Sequence, residues 1–240
     1  SQYNTQLFNT PFQNVNPNVE IIISSEVKIL PDYFLAYSEI SGSSLIYRSV
    51  EVNKVVLEEN SQIEYIGSYA FYGCTVLTDI ILPNVTSIGS YAFSGCSSLT
   101  TVTFGENSQL TSIGDNAFQN CSSLTSITIP SSVTSIGSYA FSGCSNFTSV
   151  TIPSSVTSIG EWAFYGCSSL TSITIPSSVT SIGSGAFSDC SNLQYNIYEG
   201  GLYLGNTENP YLVFVDTETT DITEFIIHSD CKFIHNNAFS

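Results

Sequence analysis

CSSLTSITIPSSVTSIGSYAFSG (residues 121–143), CSNFTSVTIPSSVTSIGEWAFYG (144–166) and CSSLTSITIPSSVTSIGSGAFSD (167–189) follow one another without a break. A 23-residue unit is too short to bury its own apolar face. Stacked copies can shelter one another, so the period itself points to a solenoid.

Working outward, each copy shows the frame L-x-x-I-x-I, a corner, then V-x-x-I-G-x-x-A-F-x-x-C. In the first full copy these positions are Val52, Val55, Leu57, Ile63, Ile66, Ala70, Phe71 and Cys74. Later copies start at Leu77, Leu99, Leu124, Phe147 and Leu170. The copies from Val52 and Leu99 are two residues longer, with EENSQ and GENSQ at the corner, which reads as a surface loop. The T-S-I-T-I stretch alternates and is β-branched, so it reads as a strand that stacks on its equivalents in one parallel sheet. Pro83, Pro130, Pro153 and Pro176 withhold a ladder donor and end that strand. V-T-S-I reads as a second, short strand. Gly67, Gly89, Gly114, Gly137, Gly160 and Gly183 are expected to bend the chain at positive φ. A-F-x-x-C suits a single helical turn.

The fold class expected is therefore α/β but mostly β. It is a right-handed, curved parallel solenoid with one concave strand per coil, and short strands plus single helical turns on the convex side. Residues 1–50 read as an irregular N-terminal cap whose Ile21, Ile23, Val27, Leu30 and Leu35 form a degenerate repeat, with a connection over 39–50. Residues 51–192 are the regular repeats. Residues 193–221 read as a hairpin-like insertion, and 222–240 as a truncated further repeat with Ile234 and Ala238 in the core. The register at Ser240 stops before its next Cys column, which points to an array that continues.

The formal charge is −16, with Lys28, Lys54, Lys232 and Arg48 the four cations. Such a balance excludes nucleic acid and anionic membrane as partners, since both need clustered Lys and Arg. No apolar run approaches a membrane span. Cys74, Cys96, Cys121, Cys144, Cys167 and Cys190 lie 22, 25, 23, 23 and 23 residues apart, always at one repeat position. Equivalent positions in stacked coils point the same way at about 4.8 Å, whereas a disulfide needs facing Cβ atoms about 3.8 Å apart. The column is expected to hold reduced, buried thiols.

The frame I-P-x-x-V-x-x-I-G-x-x-A-F-x-x-C resembles the BspA-like class of leucine-rich repeats over roughly residues 20–240. Pro-Ser-Ser stands at the corner where commoner leucine-rich repeats place Asn or Cys, so their asparagine ladder does not carry over. The resemblance implies a secreted or surface-anchored microbial protein that works in adhesion or ligand binding. It brings no catalytic residues and no cofactor.

An enzyme would have to be built on His228, Asp230, Cys231 and His235. The register sets Cys231 in the core, His228 at the Pro corner and His235 at the Gly corner, which gives them no reason to converge. No metal site is expected. The concave strands turn Asp79, Ile81, Thr101, Thr103, Ser126, Thr128, Ser149, Thr151, Ser172 and Thr174 outward. That ladder is either a contact surface for a protein or glycan, or simply what suits an exposed parallel strand. Tyr69, Tyr91, Tyr139 and Trp162 form an aromatic rim interrupted by Asn116 and Gly185; it is a partner anchor or a cover for the core edge. Asn84 and Asn146 begin glycosylation sequons, and so does Asn120, which is set aside because the adjacent Cys121 belongs inside. These readings suggest an extracellular binding module without catalysis, or alternatively a structural spacer.

Overall fold

The computed structural model describes residues 20–41, 44–49, 54–58, 60–217, 226–234 and 238. Residues 1–19, His235 and the expected core positions Val52, Ile222 and Phe225 lie outside them. The chain opens with β1 (Glu20–Ile23) and β2 (Ile29–Leu30), followed by β3 (Ala36–Ser41) and β4 (Ser44–Ser49). Each regular coil then contributes one strand from T-S-I-T-I and one from V-T-S-I. These are β5 (Lys54–Leu57) and β6 (Tyr65–Ile66), β7 (Asp79–Leu82) and β8 (Ser87–Ile88), and β9 (Thr101–Phe104) and β10 (Ser112–Ile113). The next three coils give β11 (Ser126–Thr128) and β12 (Ser135–Ile136), β13 (Ser149–Thr151) and β14 (Ser158–Ile159), and β15 (Ser172–Thr174) and β16 (Ser181–Ile182). Last come β17 (Asn196–Tyr198), β18 (Gly201–Leu204), β19 (Val213–Thr217) and β20 (Phe233–Ile234).

The two-residue strands carry the continuous sheet, in the order β16-β14-β12-β10-β8-β6-β2. All of its pairs are parallel and in repeat register, such as Ile136↔Ile159. Inclusion of β2, and the pairing of β1 with β5, place Glu20–Leu30 in the array as one more coil. Within the stretch 39–50, expected as a mere connection, residues 39–41 and 44–49 instead help to build the antiparallel β3–β4 pair.

The longer strands do not form the single sheet that the sequence suggested. They fall into β1-β5, β7-β9 and β11-β13-β15. Both breaks come immediately after a coil with the two-residue corner insertion.

A third ladder replaces the expected helical turn, and no helix occurs among the described residues. Tyr69, Phe71 and Gly73 N–H groups donate to Ser90, Ala92 and Ser94 carbonyls of the next coil at 2.9, 2.7 and 2.7 Å. The alternate donors Ala70, Tyr72 and Cys74 reach back three residues within the coil. A helix would spend every donor inside its own coil; stacking takes half of them across.

The core is a set of columns. Phe71, Phe93, Phe118, Phe141, Phe164 and Phe187 stack nearly parallel, with centroids 5.2 to 5.8 Å apart. The six column cysteines are buried and unpaired, as expected. Their thiols also bind the stack together: Cys96 donates to the Phe71 carbonyl at 3.1 Å, and Cys121, Cys144, Cys167 and Cys190 repeat the contact one coil on. Burial pushes these thiols up, Cys74 to about 11 and Cys190 to about 12, with those between raised further.

Gly67 and its five equivalents do not have positive φ. They are glycine because the coil beneath is too close. A Cβ on Gly89 would sit 2.5 Å from the Ser68 nitrogen, and one on Gly114 would sit 2.7 Å from the Ile88 oxygen. Left-handed backbone comes two and six residues later, at Tyr69 (φ 59) and Gly73 (φ 67) and their equivalents.

The array ends in β17, β18 and β19, an antiparallel set in which β17 and β18 alone already make a hairpin. β20 does not extend the seven-stranded sheet. It pairs with β19, at the edge of this terminal sheet, and there Ile234 is 51% exposed instead of entering the core. Ala238 is buried beside Tyr203 and Phe214.

Candidate functional site

Ser and Thr recur at many positions of these coils, and three of their columns bond each coil to the one before. Thr134, Thr157 and Thr180 Oγ1 donate to the carbonyls of Thr111, Thr134 and Thr157 at 3.1–3.2 Å. Thr100, Thr148 and Thr171 do the same for Thr78, Thr125 and Thr148. Ser132, Ser155 and Ser178 reach Leu110, Val133 and Val156 carbonyls at 2.6–2.8 Å. Much of the hydroxyl content is therefore mortar between coils.

The outward ladder is not among these columns. Ser126↔Ser149↔Ser172 and Thr128↔Thr151↔Thr174 lie in parallel register, all are exposed, and their hydroxyls bond to nothing within the described chain. Backbone alternation forces this, since the residues between them, Ile127, Val150 and Ile173, point inward and are buried. Asp79, Ile81, Thr101 and Thr103 extend the same exposed face, though Asp79 accepts from Thr78 at 2.9 Å and Thr101 lies 3.5 Å from Thr100. Toward the N-terminus the face changes character. Ile81 is 57% exposed and Ile22 is 63% exposed, and Val56 pairs with Ile22 in register.

The aromatic rim is placed differently. Tyr69, Tyr91, Tyr139 and Trp162 are half-buried and hold positive φ between 55 and 59°. Bulky residues rarely adopt that region. They are held in it by stacking: Tyr33 on Tyr69 at 4.9 Å, Tyr69 on Tyr91 at 4.7 Å, Tyr139 on Trp162 at 6.3 Å. The two interruptions, Asn116 (φ 58) and Gly185 (φ 64), are the residue types that tolerate left-handed backbone best. Backbone geometry thus accounts for the column's composition.

His228 lies in an aromatic nest, stacked on Tyr211 at 4.2 Å and edge-on to Tyr198 at 4.6 Å, and its Nδ1 accepts from the Asp230 N–H at 3.1 Å. Cys231 is half-buried, not deep in the core as its register suggested; its thiol donates to the Phe233 carbonyl, and burial raises its pKa. No three His, Cys, Asp or Glu side chains gather to hold a metal among the described residues. Asn84 and Asn146 are exposed; Asn120 is exposed too, beside a fully buried Cys121. No described helix is long and apolar enough to cross a membrane.

One feature escaped the sequence reading. β5 and β7 leave between them a cleft of about 650 Å³ lined by Val56, Leu57, Val76 and Ile81 and edged by Glu58 and Asp79. The EENSQ corner was its only signal.

Among solved structures, a leucine-rich repeat protein from Eubacterium ventriosum is 30% identical, with TM-score 0.56 over 78% of this chain and 46% of its own. One from Bacteroides ovatus is 24% identical, with TM-score 0.51 over 92% of this chain and 57% of its own. The leucine rich repeat protein of T. pallidum is 28% identical, with TM-score 0.48 over 67% of this chain and 70% of its own. The chain thus spans about half the length of the first two. No curated protein matches it. A family model for the BspA type leucine rich repeat region matches in 6 copies over residues 39–125 and 111–240. Columns, register and family model agree, and the chain belongs to the BspA-type leucine-rich repeat family.

Proposed function

We propose that this chain is an extracellular or cell-surface binding module, without chemistry of its own, that contacts a host or matrix protein or a glycan through the outward ladder. A single observation carries this reading. The hydroxyls of Ser126, Thr128, Ser149, Thr151, Ser172 and Thr174 are unengaged, while the neighbouring Thr and Ser columns bond the coils together. Stacking accounts for the engaged columns, whereas these exposed hydroxyls are open to a partner's donors and acceptors. An uncharged, regularly spaced array of donors and acceptors on rigid strands suits recognition by hydrogen bonding. Asn84 and Asn146 are open to glycosylation where the host machinery exists. Surface location rests on the family.

The test uses the variant Thr128→Lys, Thr151→Lys, Thr174→Lys, probed against immobilised matrix proteins and a glycan array. The positions are exposed, so the fold should survive, and loss of at least tenfold in binding to whatever wild type captures is expected. Unchanged capture means another face binds. No capture by wild type returns the chain to the role of a spacer.

A further inference from the structure

Successive coils touch on three sides, and at one place a side is open. Between the coils of β5 and β7, the short strands pair normally, Tyr65↔Ser87 and Ile66↔Ile88. The turn ladder also closes, with the Phe71 N–H 2.7 Å from the Ala92 oxygen. The long strands do not meet. No ladder joins β5 to β7, and nearly all their Cα–Cα separations exceed 8 Å. By contrast β9 and β11, the other interrupted pair, stay within that distance.

Bonded parallel strands lie about 4.8 Å apart, so a gap that could receive one additional strand spans about 9.6 Å. Nearly all Cα atoms across this opening are more than 8 Å apart, wider than a bonded pair, and the opening presents two open edges. β5 is bonded only to β1, and β7 only to β9, so each turns a row of backbone donors and acceptors toward the opening. Open edges are templates for an extended chain.

The side chains define what would fit. An inserted strand would turn alternate residues inward between Val55 and Ile80, which are 9% and 1% exposed. The other residues would turn outward between Val56 and Ile81, beside Ile22. Both faces are apolar, which calls for β-branched residues. The ends are acidic. Asp79 stands at the start of β7 and Glu58 follows β5, while Lys54 is already held by Glu20 at 3.1 Å. The formal charge of −16 works against a second copy of this chain.

We propose that the opening between β5 and β7 is a binding site for an extended peptide of a partner protein. That peptide is a short run of β-branched apolar residues flanked by Lys or Arg, added as a strand to both edges at once. The site shares Asp79 and Ile81 with the outward face but none of the hydroxyl ladder from Ser126 to Thr174, and it does not depend on the reading given to that ladder.

The probe is the acetylated peptide Lys-Lys-Val-Thr-Ile-Val-Lys-Lys, with a second version N-methylated at alternate backbone nitrogens so that one edge cannot form a ladder. With the full chain, the plain peptide should bind at least tenfold more tightly than the methylated one. It should slow amide exchange at 54–57 and 79–82 at least tenfold. Ile81→Lys, at an exposed position, should weaken binding at least tenfold, while Thr128→Lys, Thr151→Lys, Thr174→Lys should leave it unchanged. Equal affinity for both peptides, binding without protection of those strands, or no binding would each overturn the proposal.

Discussion

Between β11 and β13 two coils are joined on all three sides; between β5 and β7 coils of the same frame are joined on two. Both pairs keep the Phe and Cys columns. The difference is confined to the long strands: the coil from Val52 runs 25 residues and the next, from Leu77, runs 22, whereas those from Leu124, Phe147 and Leu170 run 23 each. The columns thus hold the solenoid even where a sheet is interrupted, and the outward face is free to vary. It bears hydroxyls from Thr101 to Thr174 and becomes apolar beside the β5–β7 opening, at Ile22 and Ile81.

The largest effect should come from alkali, which attacks the column shared by both regions. Each buried thiol keeps its proton in the fold and loses it near pH 8.5–9 in the unfolded chain. The unfolded chain then binds fewer protons, so stability is intact below that range and falls as pH rises toward the raised folded values. Each thiol costs about 1.4 kcal/mol per pH unit in this window. Denaturant melts at pH 7, 9 and 10 should show a steep loss, and Cys121→Ala, Cys144→Ala, Cys167→Ala should flatten the slope by about half. A slope unchanged by that variant contradicts the assignment.

Phe141→Ala removes a fully buried ring from the middle of its stack and should cost about 3–5 kcal/mol in a thermal or chemical melt. A matched pair sharpens the comparison directly. Val150 in β13 and Val55 in β5 occupy the same repeat position, at 6% and 9% exposure. Val150→Ala should cost about 2 kcal/mol and Val55→Ala about half that, because one flank of Val55 lacks a neighbour. Gly160→Ala should cost about 1–3 kcal/mol, since its Cβ would meet the Ser138 nitrogen of a backbone that cannot retreat. The smallest effect is expected for Tyr139→Asn, under about 1 kcal/mol, where lost stacking is offset by relief of positive φ.

Periodicity made the stack, the buried columns and the outward ladder legible before any coordinates. Period-2 alternation in T-S-I-T-I separates Ile127 from Thr128 without further information. What stayed hidden depends on the distance between coils. Gly89 looks like a bend residue in sequence, and its contact with Ser68 appears only in the stack. Tyr69 reads in sequence as a partner anchor or a cover for the core edge, and its positive φ is invisible in a string of letters. The EENSQ corner reads as a harmless loop, yet a ladder ends behind it, because strand pairing depends on both coils and not on either one. Ile234 kept the frame of a core residue, yet it pairs with Phe214 of β19 at the edge of the terminal sheet and is exposed there.

Native-state amide exchange along the chain tests the account most directly. Slow exchange is predicted in β6 and β8 and in β11, β13 and β15, with the gap-facing amides of β5 and β7 at least tenfold faster. Uniform protection from Lys54 to Leu82, equal to that of Ser126 to Thr151, would contradict it.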